Sequence, residues 1–142
     1  MAEAELNAFR VKFRIDELRI VDTAHWTWSV RPAQPTLGAT VLSLRRHAGS
    51  FAEVTPEEMA DLAAAVGVVE SATRRAFSYD KINYLMLMMV DPHVHFHVVL
   101  RYAGERRFAD LAWQDAAWPR PPSLAADPCA PEVLAAIRKA LA

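Results

Sequence analysis

The chain has 142 residues, of which 53% are hydrophobic, and its formal net charge is −1. This length and composition suit one globular unit, so we expect a single domain over residues 1–142. The near-zero charge gives no general attraction to nucleic acid or anionic lipid, so neither is an expected partner. No apolar run approaches the roughly 20 residues of a membrane span. The single cysteine, Cys129, excludes an intramolecular disulfide and fits a reducing, cytoplasmic location.

Short strands are predicted in the first 50 residues. Four segments there have alternating or β-branched composition: residues 9–13, 18–21, 25–30 and 39–44. Trp26, Trp28 and Val30 would share one strand face. Two prolines and a glycine then turn the chain before the fourth strand begins.

A long helix is predicted over residues 55–77. Thr55 suits the N-cap, Pro56 suits the first helical position, and Glu58 completes a capping box. Apolar residues recur every three or four positions and mark the face expected to be buried: Met59, Leu62, Val66, Val69, Thr73 and Phe77.

The rest of the chain predicts further strands and a second helix. Residues 82–89 and 107–113 are candidate strands on either side of a histidine-rich strand. A helix of about ten residues should begin at Asp127 or Ala130, with Pro131 in its first turn. The elements together predict an α+β fold, with an antiparallel sheet, one long central helix and a shorter C-terminal helix.

Three histidines at two-residue spacing, His93, His95 and His97, form the pattern most informative about function. Their neighbours are β-branched or aromatic, which favours a strand. Alternation on a strand places the three imidazoles on one face and Val94 and Phe96 on the other. Imidazole changes charge near neutral pH, and it acts as a base, a nucleophile or a metal ligand.

Geometry leaves three roles open for this row. Neighbouring Cα atoms on one strand face lie about 6.6 Å apart, so the outer pair spans about 13 Å. A zinc ion needs each nitrogen at about 2.0 Å, so two neighbouring rings can share an ion but three cannot without distortion. A phosphoryl group, with several oxygens around phosphorus, fits such a row better. A purely structural row is the third alternative.

The motif His-apolar-His-apolar-His-apolar-apolar resembles the signature of the histidine-triad (HIT) superfamily of nucleotide hydrolases and transferases. Further segments are similar to that family: the proline-rich turn and glycine at 32–38, the basic-basic-histidine at 45–47, the capping box at 55–58 and the strand start at 81–84. The resemblance covers about residues 10–102. Residues 103–142 form an extended tail, within which 115–119 resemble some bacterial members.

The resemblance implies a nucleotidyl-imidazole mechanism. The position of its nucleophile, which attacks the α-phosphorus of a nucleotide conjugate, is His95. The positions that orient it and contact phosphate are His93 and His97. The implied substrates are dinucleoside polyphosphates or nucleoside phosphoramidates, and the family commonly forms homodimers. From position alone, Arg101 beside the triad and Asn83 are further candidates for substrate contact.

Two departures from the family pattern bear on activity. Many members have a histidine close to the glycine before the central helix, where this chain has Ala39. Many also have a polar residue shortly before the triad, where residues 86–90 are all apolar. One rival interpretation is therefore a nucleotide-binding module with little or no turnover.

A second rival is a metal protein that uses two triad histidines with His25 or His47. Under the preferred hypothesis the protein is a hydrolase or nucleotidyl transferase and needs no resident metal or other cofactor. A divalent cation would accompany only the phosphates of the substrate.

Overall fold

A five-stranded antiparallel sheet forms the centre of the computed structural model, which describes residues 2–142. Its strands are β1 (Arg19–Asp22), β2 (Trp26–Val30), β3 (Thr40–Leu44), β4 (Lys81–Leu85) and β5 (His95–Arg101). They lie in the order β1-β2-β3-β5-β4, and a separate hairpin pairs β6 (Arg106–Phe108) with β7 (Leu111–Trp113). The helices are α1 (Ala2–Lys12), α2 (Ile15–Leu18), α3 (Pro56–Phe77) and α4 (Pro131–Leu141), with a 3-10 turn at Phe51–Glu53. The predicted α+β class is confirmed.

Helix α3 begins as its sequence predicts. The Thr55 hydroxyl accepts a hydrogen bond from the Glu58 amide at 3.2 Å, and the Glu58 carboxylate accepts one from the Thr55 amide at 2.9 Å. Both bonds satisfy backbone donors that have no partner within the helix. Of the predicted buried face, Val69, Thr73 and Phe77 are buried, whereas Met59 is 42% exposed.

The two faces of the sheet carry different chemistry. Trp28 of β2 and Leu42 of β3 are paired across the sheet and belong to the main core, to which α3 and α4 contribute. Phe96 of β5 pairs with Leu42 and packs against this core. The opposite face carries Val41, which packs with the aromatic residues of the N-terminal segment. The fold thus has an apolar layer under α3 and α4, and a second layer under α1.

The predicted strand at residues 9–13 is wrong, because this segment ends helix α1. Phe9 and Phe13 are four residues apart, so they lie on the same helical face, and both are buried. Val11 points away and is 77% exposed. Apolar residues at alternating positions 9, 11 and 13 fit a strand as well as a helix, and only tertiary packing distinguishes the two.

The predicted strand at 82–89 is too long. Strand β4 ends at Leu85, and the chain then forms a loop in which Met88 has a φ of 52° and Met89 is 83% exposed. The hydrophobicity of residues 86–89 predicted a buried strand, but a residue whose backbone adopts the left-handed conformation interrupts a strand.

The predicted strand at 107–113 is divided into β6 and β7 by a turn at Ala109 and Asp110, both with positive φ. The C-terminal helix begins at Pro131 with Ala130 as its N-cap, as predicted. Within residues 2–142, none of the helices combines the length and the apolar character that crossing a bilayer requires.

Candidate functional site

The triad lies at the start of β5, on the sheet face that α1 covers. His95 pairs with Ser43 and His97 with Val41 across the β3–β5 ladder, so both rings share a face. His93 precedes the first strand residue, yet its ring lies on the same side because it contacts the same aromatic cover as His95. The single face predicted for the three imidazoles is therefore present, although only two of them belong to regular strand.

Two phenylalanines cover the three imidazoles. The Phe9 ring centroid lies 4.9 Å from that of His93 and 4.8 Å from that of His95. The Phe13 ring lies 5.8 Å from that of His97. As a result, the three histidines are only 0%, 2% and 7% exposed in chain order. The sequence predicts the row of histidines but not this cover. The cover is formed by residues 9–13, for which the sequence predicted a strand instead of the end of helix α1.

Backbone carbonyls determine where two of the rings carry their protons. His95 Nδ1 lies 2.5 Å from the carbonyl oxygen of His93, which can only accept, so Nδ1 donates its proton. A neutral His95 then keeps the lone pair on Nε2. His93 donates from Nε2 to the carbonyl of Leu44 at 2.8 Å, and its Nδ1 accepts from the Ala48 amide at 3.4 Å.

Burial keeps the triad neutral. Desolvation lowers the pKa of His93 to about 4 and that of His97 to about 4. Desolvation also lowers the pKa of His95, although its bond to the His93 carbonyl and the nearby Asp91 carboxylate oppose the change. All three imidazoles are therefore uncharged at pH 7, which is the form of imidazole that acts as a nucleophile.

A cavity of about 220 Å³ opens beside His95 and His97. Its charged lining residues are Lys12, Arg31 and Asp91. Its apolar lining comes from Phe13, the loop at 87–90 and Leu124. Sites for drug-sized ligands usually measure about 300–1,000 Å³. The cavity therefore has room for a phosphoryl group with part of its substituent, and a whole nucleotide would extend beyond it.

A fourth imidazole, His47, extends the row. Its ring stacks on that of His93 with centroids 5.6 Å apart, and its Nε2 lies 2.8 Å from a carboxylate oxygen of Glu5. His47 is the histidine of the basic-basic-histidine segment that resembles the HIT family, and it is also a candidate metal ligand in the rival interpretation. It lies three residues after the end of β3, which pairs with the strand that carries the triad.

Arg101 and Asn83 lie together, but at the far end of β5 from His95. Arg101 donates to the Asp115 carboxylate at 2.7 Å, to the Asn83 side chain at 2.9 Å and to the Arg120 carbonyl at 2.7 Å. These bonds tie the C-terminal segment to the sheet. The substrate contacts predicted for Arg101 and Asn83 stay predictions, and neither residue lines the cavity beside the triad.

Potential metal ligands are dispersed. Within residues 2–142, no group of three or more histidine, cysteine, aspartate or glutamate side chains is arranged to hold a metal ion. His25 lines a different cavity, which contains Arg10 and Arg45. The ring of His47 stacks on that of His93, but both nitrogens of His93 already have backbone partners.

Comparisons with known proteins give a family match and several similar structures. The HIT domain family matches residues 16–104. Among solved structures, a histidine triad protein from Bradyrhizobium japonicum is similar with a TM-score of 0.66 and 24% identity, covering 90% of this chain and 94% of that one. A histidine triad protein from Sinorhizobium meliloti 1021 has a TM-score of 0.68 and 22% identity, covering 90% and 93%.

A hypothetical histidine triad nucleotide-binding protein from Sulfolobus tokodaii has a TM-score of 0.70 and 16% identity, covering 93% and 85%. No curated protein matches the chain. At these identities the solved structures establish the fold alone. The family match extends over more than half of the chain, and it includes the triad and the strands that hold it. The protein therefore belongs to the HIT domain family.

Proposed function

We propose that this protein is a nucleotide-phosphate hydrolase or nucleotidyl transferase that acts at the α-phosphorus through a covalent nucleotidyl intermediate on His95. Membership of the HIT family fits nucleotide binding and this class of reaction. The proposed substrates are dinucleoside polyphosphates or nucleoside phosphoramidates.

One observation carries the proposal: the bond from His95 Nδ1 to the carbonyl of His93. Because that bond holds the proton on Nδ1, the neutral ring presents an unprotonated Nε2. Burial keeps the ring neutral by lowering its pKa. A nucleophile whose proton position and charge are both set before substrate arrives needs no separate base for the first step.

In the first step, His95 Nε2 forms a bond to the α-phosphorus while the bond from phosphorus to the leaving group breaks. The leaving group departs with the electron pair and takes up a proton from solvent. In the second step, water in the hydrolase, or another acceptor in the transferase, attacks phosphorus and gives up its proton to solvent. The bond to Nε2 breaks, and His95 returns to its neutral form with a nucleoside monophosphate or its conjugate released.

His97 is proposed to contact the phosphoryl group, because it lines the same cavity as His95. His93 is proposed to orient His95, since the acceptor of the Nδ1 bond is its own carbonyl. A divalent cation would enter only with the phosphates of the substrate.

The test is AMP release from an adenosine phosphoramidate and from a diadenosine polyphosphate. His95→Asn should reduce the rate at least about 10³-fold, since it removes the nucleophile. His25→Asn, which alters a histidine in a separate cavity, is the matched control and should retain the wild-type rate. Rapid quenching should also trap an acid-labile, base-stable nucleotide adduct on His95. Turnover that survives His95→Asn would refute the mechanism.

A nucleotide-binding module with little turnover is the second candidate. The observation that favours it is the closed cover, which leaves His95 2% exposed beneath Phe9 and Phe13. AMP binding without AMP release from either substrate would support this module over the enzyme.

A metal protein is the third candidate. Binding of a metal by His93 would require it to give up a bond to Leu44 or Ala48. Stoichiometric zinc or iron in untagged protein, lost in His93→Ala, would favour this candidate.

We also propose a homodimer in the cytoplasm. Strand β4 is an edge strand of the sheet, and an edge leaves backbone donors and acceptors available to a second copy. Sedimentation equilibrium should give about twice the 15.9 kDa of one chain. The free thiol of Cys129 fits a reducing compartment, and localisation of a tagged copy in cells tests it.

A further inference from the structure

Arg31 lines the triad cavity and carries a positive charge that no carboxylate in the cavity neutralises. It follows β2 directly, and its amide donates to the Ala39 carbonyl at 3.0 Å. It lies two residues after Ser29, which pairs with Val41, and Val41 pairs with His97. Because side chains two residues apart share a strand face, this register directs Arg31 to the face of the triad. Its side chain lines the cavity together with His95 and His97.

The guanidinium of Arg31 has few partners. One terminal nitrogen donates to the Ala33 carbonyl at 2.9 Å. Its Nε is buried and has no hydrogen-bond partner among residues 2–142. Buried donors in proteins are nearly always paired, so this Nε has the capacity for one more acceptor, which a water or a ligand can supply. His97 Nδ1, on the same cavity wall, is also buried without a partner in this part of the chain.

The other charges of the cavity cancel. Lys12 Nζ lies 2.8 Å and 2.9 Å from the two carboxylate oxygens of Asp91. Since Lys12 and Asp91 neutralise each other, the charged lining residues leave one uncompensated positive charge, that of Arg31. Arginine stays protonated even where burial lowers its pKa, as burial does here. Partial burial of a cation costs desolvation free energy, and a bound anion would offset this cost.

We propose that Arg31 is a substrate-binding residue that contacts the phosphoryl oxygens of the ligand in the cavity beside His95 and His97. The inference rests on the proposed function for the identity of the ligand, a nucleoside monophosphate group. Arg101, the other arginine considered for substrate contact, pairs with Asp115 and does not line this cavity. The planar guanidinium can offer its unpartnered Nε and a terminal nitrogen to two phosphate oxygens at once.

Binding measurements on the full chain test the assignment without requiring turnover. Calorimetric titration compares AMP with adenosine, which lacks the phosphate. Arg31→Met should weaken AMP binding about 10- to 100-fold, the usual effect of losing a hydrogen bond to a charged group. It should leave adenosine binding unchanged. Arg31→Lys, which keeps the charge but loses the fork, should give an intermediate affinity.

Arg107→Met is the matched control, because Arg107 is an exposed arginine on β6 outside the cavity. It should bind AMP as tightly as the wild type. Urea unfolding shows that each variant is folded, and if Arg31→Met does not fold, Arg31→Lys and Arg31→Gln carry the comparison. Wild-type AMP affinity in the variants that remove the charge, or equal losses for AMP and adenosine, would overturn the assignment.

Failure of this inference is distinguishable from failure of the proposed function. AMP release by Arg31→Met with the wild-type KM would overturn the role of Arg31 and leave the enzyme intact. Arg31-dependent AMP binding by a protein that turns over neither substrate would support the role of Arg31 and contradict the enzyme.

Discussion

Acidification from pH 7 to pH 5 should destabilise this fold through His93 and His97. Burial lowers the pKa of each to about 4, against 6.5 for an accessible imidazole. Between these values the unfolded chain binds protons that the folded chain does not. The free energy of unfolding therefore is highest above pH 6.5 and falls as the pH decreases through this window.

The size of the effect follows from the two pKa values. A group with a pKa of 6.5 when unfolded and about 4 when folded loses about 2 kcal/mol of stabilisation between pH 7 and pH 5. The two histidines together give about 4 kcal/mol, a large part of the 5–15 kcal/mol typical of a domain. Carboxylates contribute little in this range. Hydrogen bonding to Arg46 lowers the pKa of Glu58 to about 2. The stabilisation that Glu58 contributes is therefore lost mainly below pH 4.5, the ordinary pKa of its carboxyl group.

Urea unfolding at the two pH values measures this loss. The wild type should lose at least about 4 kcal/mol, and His93→Asn and His97→Asn should each remove about 2 kcal/mol of this loss. The double variant should be less stable at pH 7 and should keep only the pH dependence that comes from the lowered pKa of His95. A wild-type loss below about 1 kcal/mol, or a double variant with the full wild-type loss, would refute the burial argument.

Three further perturbations separate structural from functional roles. Arg101→Met should lower the free energy of unfolding by about 3–5 kcal/mol, because it leaves the buried Asp115 carboxylate unpaired; urea titration measures this, and a change below 1 kcal/mol would contradict it. Phe9→Ala should cost about 3–5 kcal/mol and raise the pKa values of the triad toward 6.5, seen by NMR titration of the ring protons. Lys12→Met should change the free energy of unfolding by less than about 1 kcal/mol, because the ion pair with Asp91 is partly exposed. It should speed hydrogen exchange in the loop at 86–92, because it removes the contact that holds Asp91 to α1. Unchanged exchange would show that the ion pair does not restrain the loop.

Local signals predicted a large part of this fold. The capping box at Thr55 and Glu58 acts within three residues, so the sequence indicates the helix start directly. The strands at β2 and β3 have the β-branched and aromatic composition that a pleated sheet favours. The histidine spacing likewise predicted a shared face, because alternation is a property of the strand itself.

Long-range pairing decided what the sequence did not predict. Arg101 adjoins the triad in sequence, but its partner Asp115 lies 14 residues further along, and no local pattern announces that pair. Arg31 is remote from the triad in sequence and reaches its cavity only through the register of three strands. The cover over the triad depends on Phe9 and Phe13, whose spacing suits a strand as well as a helix until the sheet is present to bury them.

The acceptor that fixes the His95 proton belongs to the main chain of residue 93, not to its imidazole. In catalytic sites where a carboxylate side chain performs this task, one substitution can abolish it. Here every amino acid at position 93 would supply the same oxygen, provided that the peptide plane keeps its orientation. The proton position of the proposed nucleophile is in this respect inherited from the path of the polypeptide, and the imidazole of His93 contributes by bonding that path to Leu44 and Ala48.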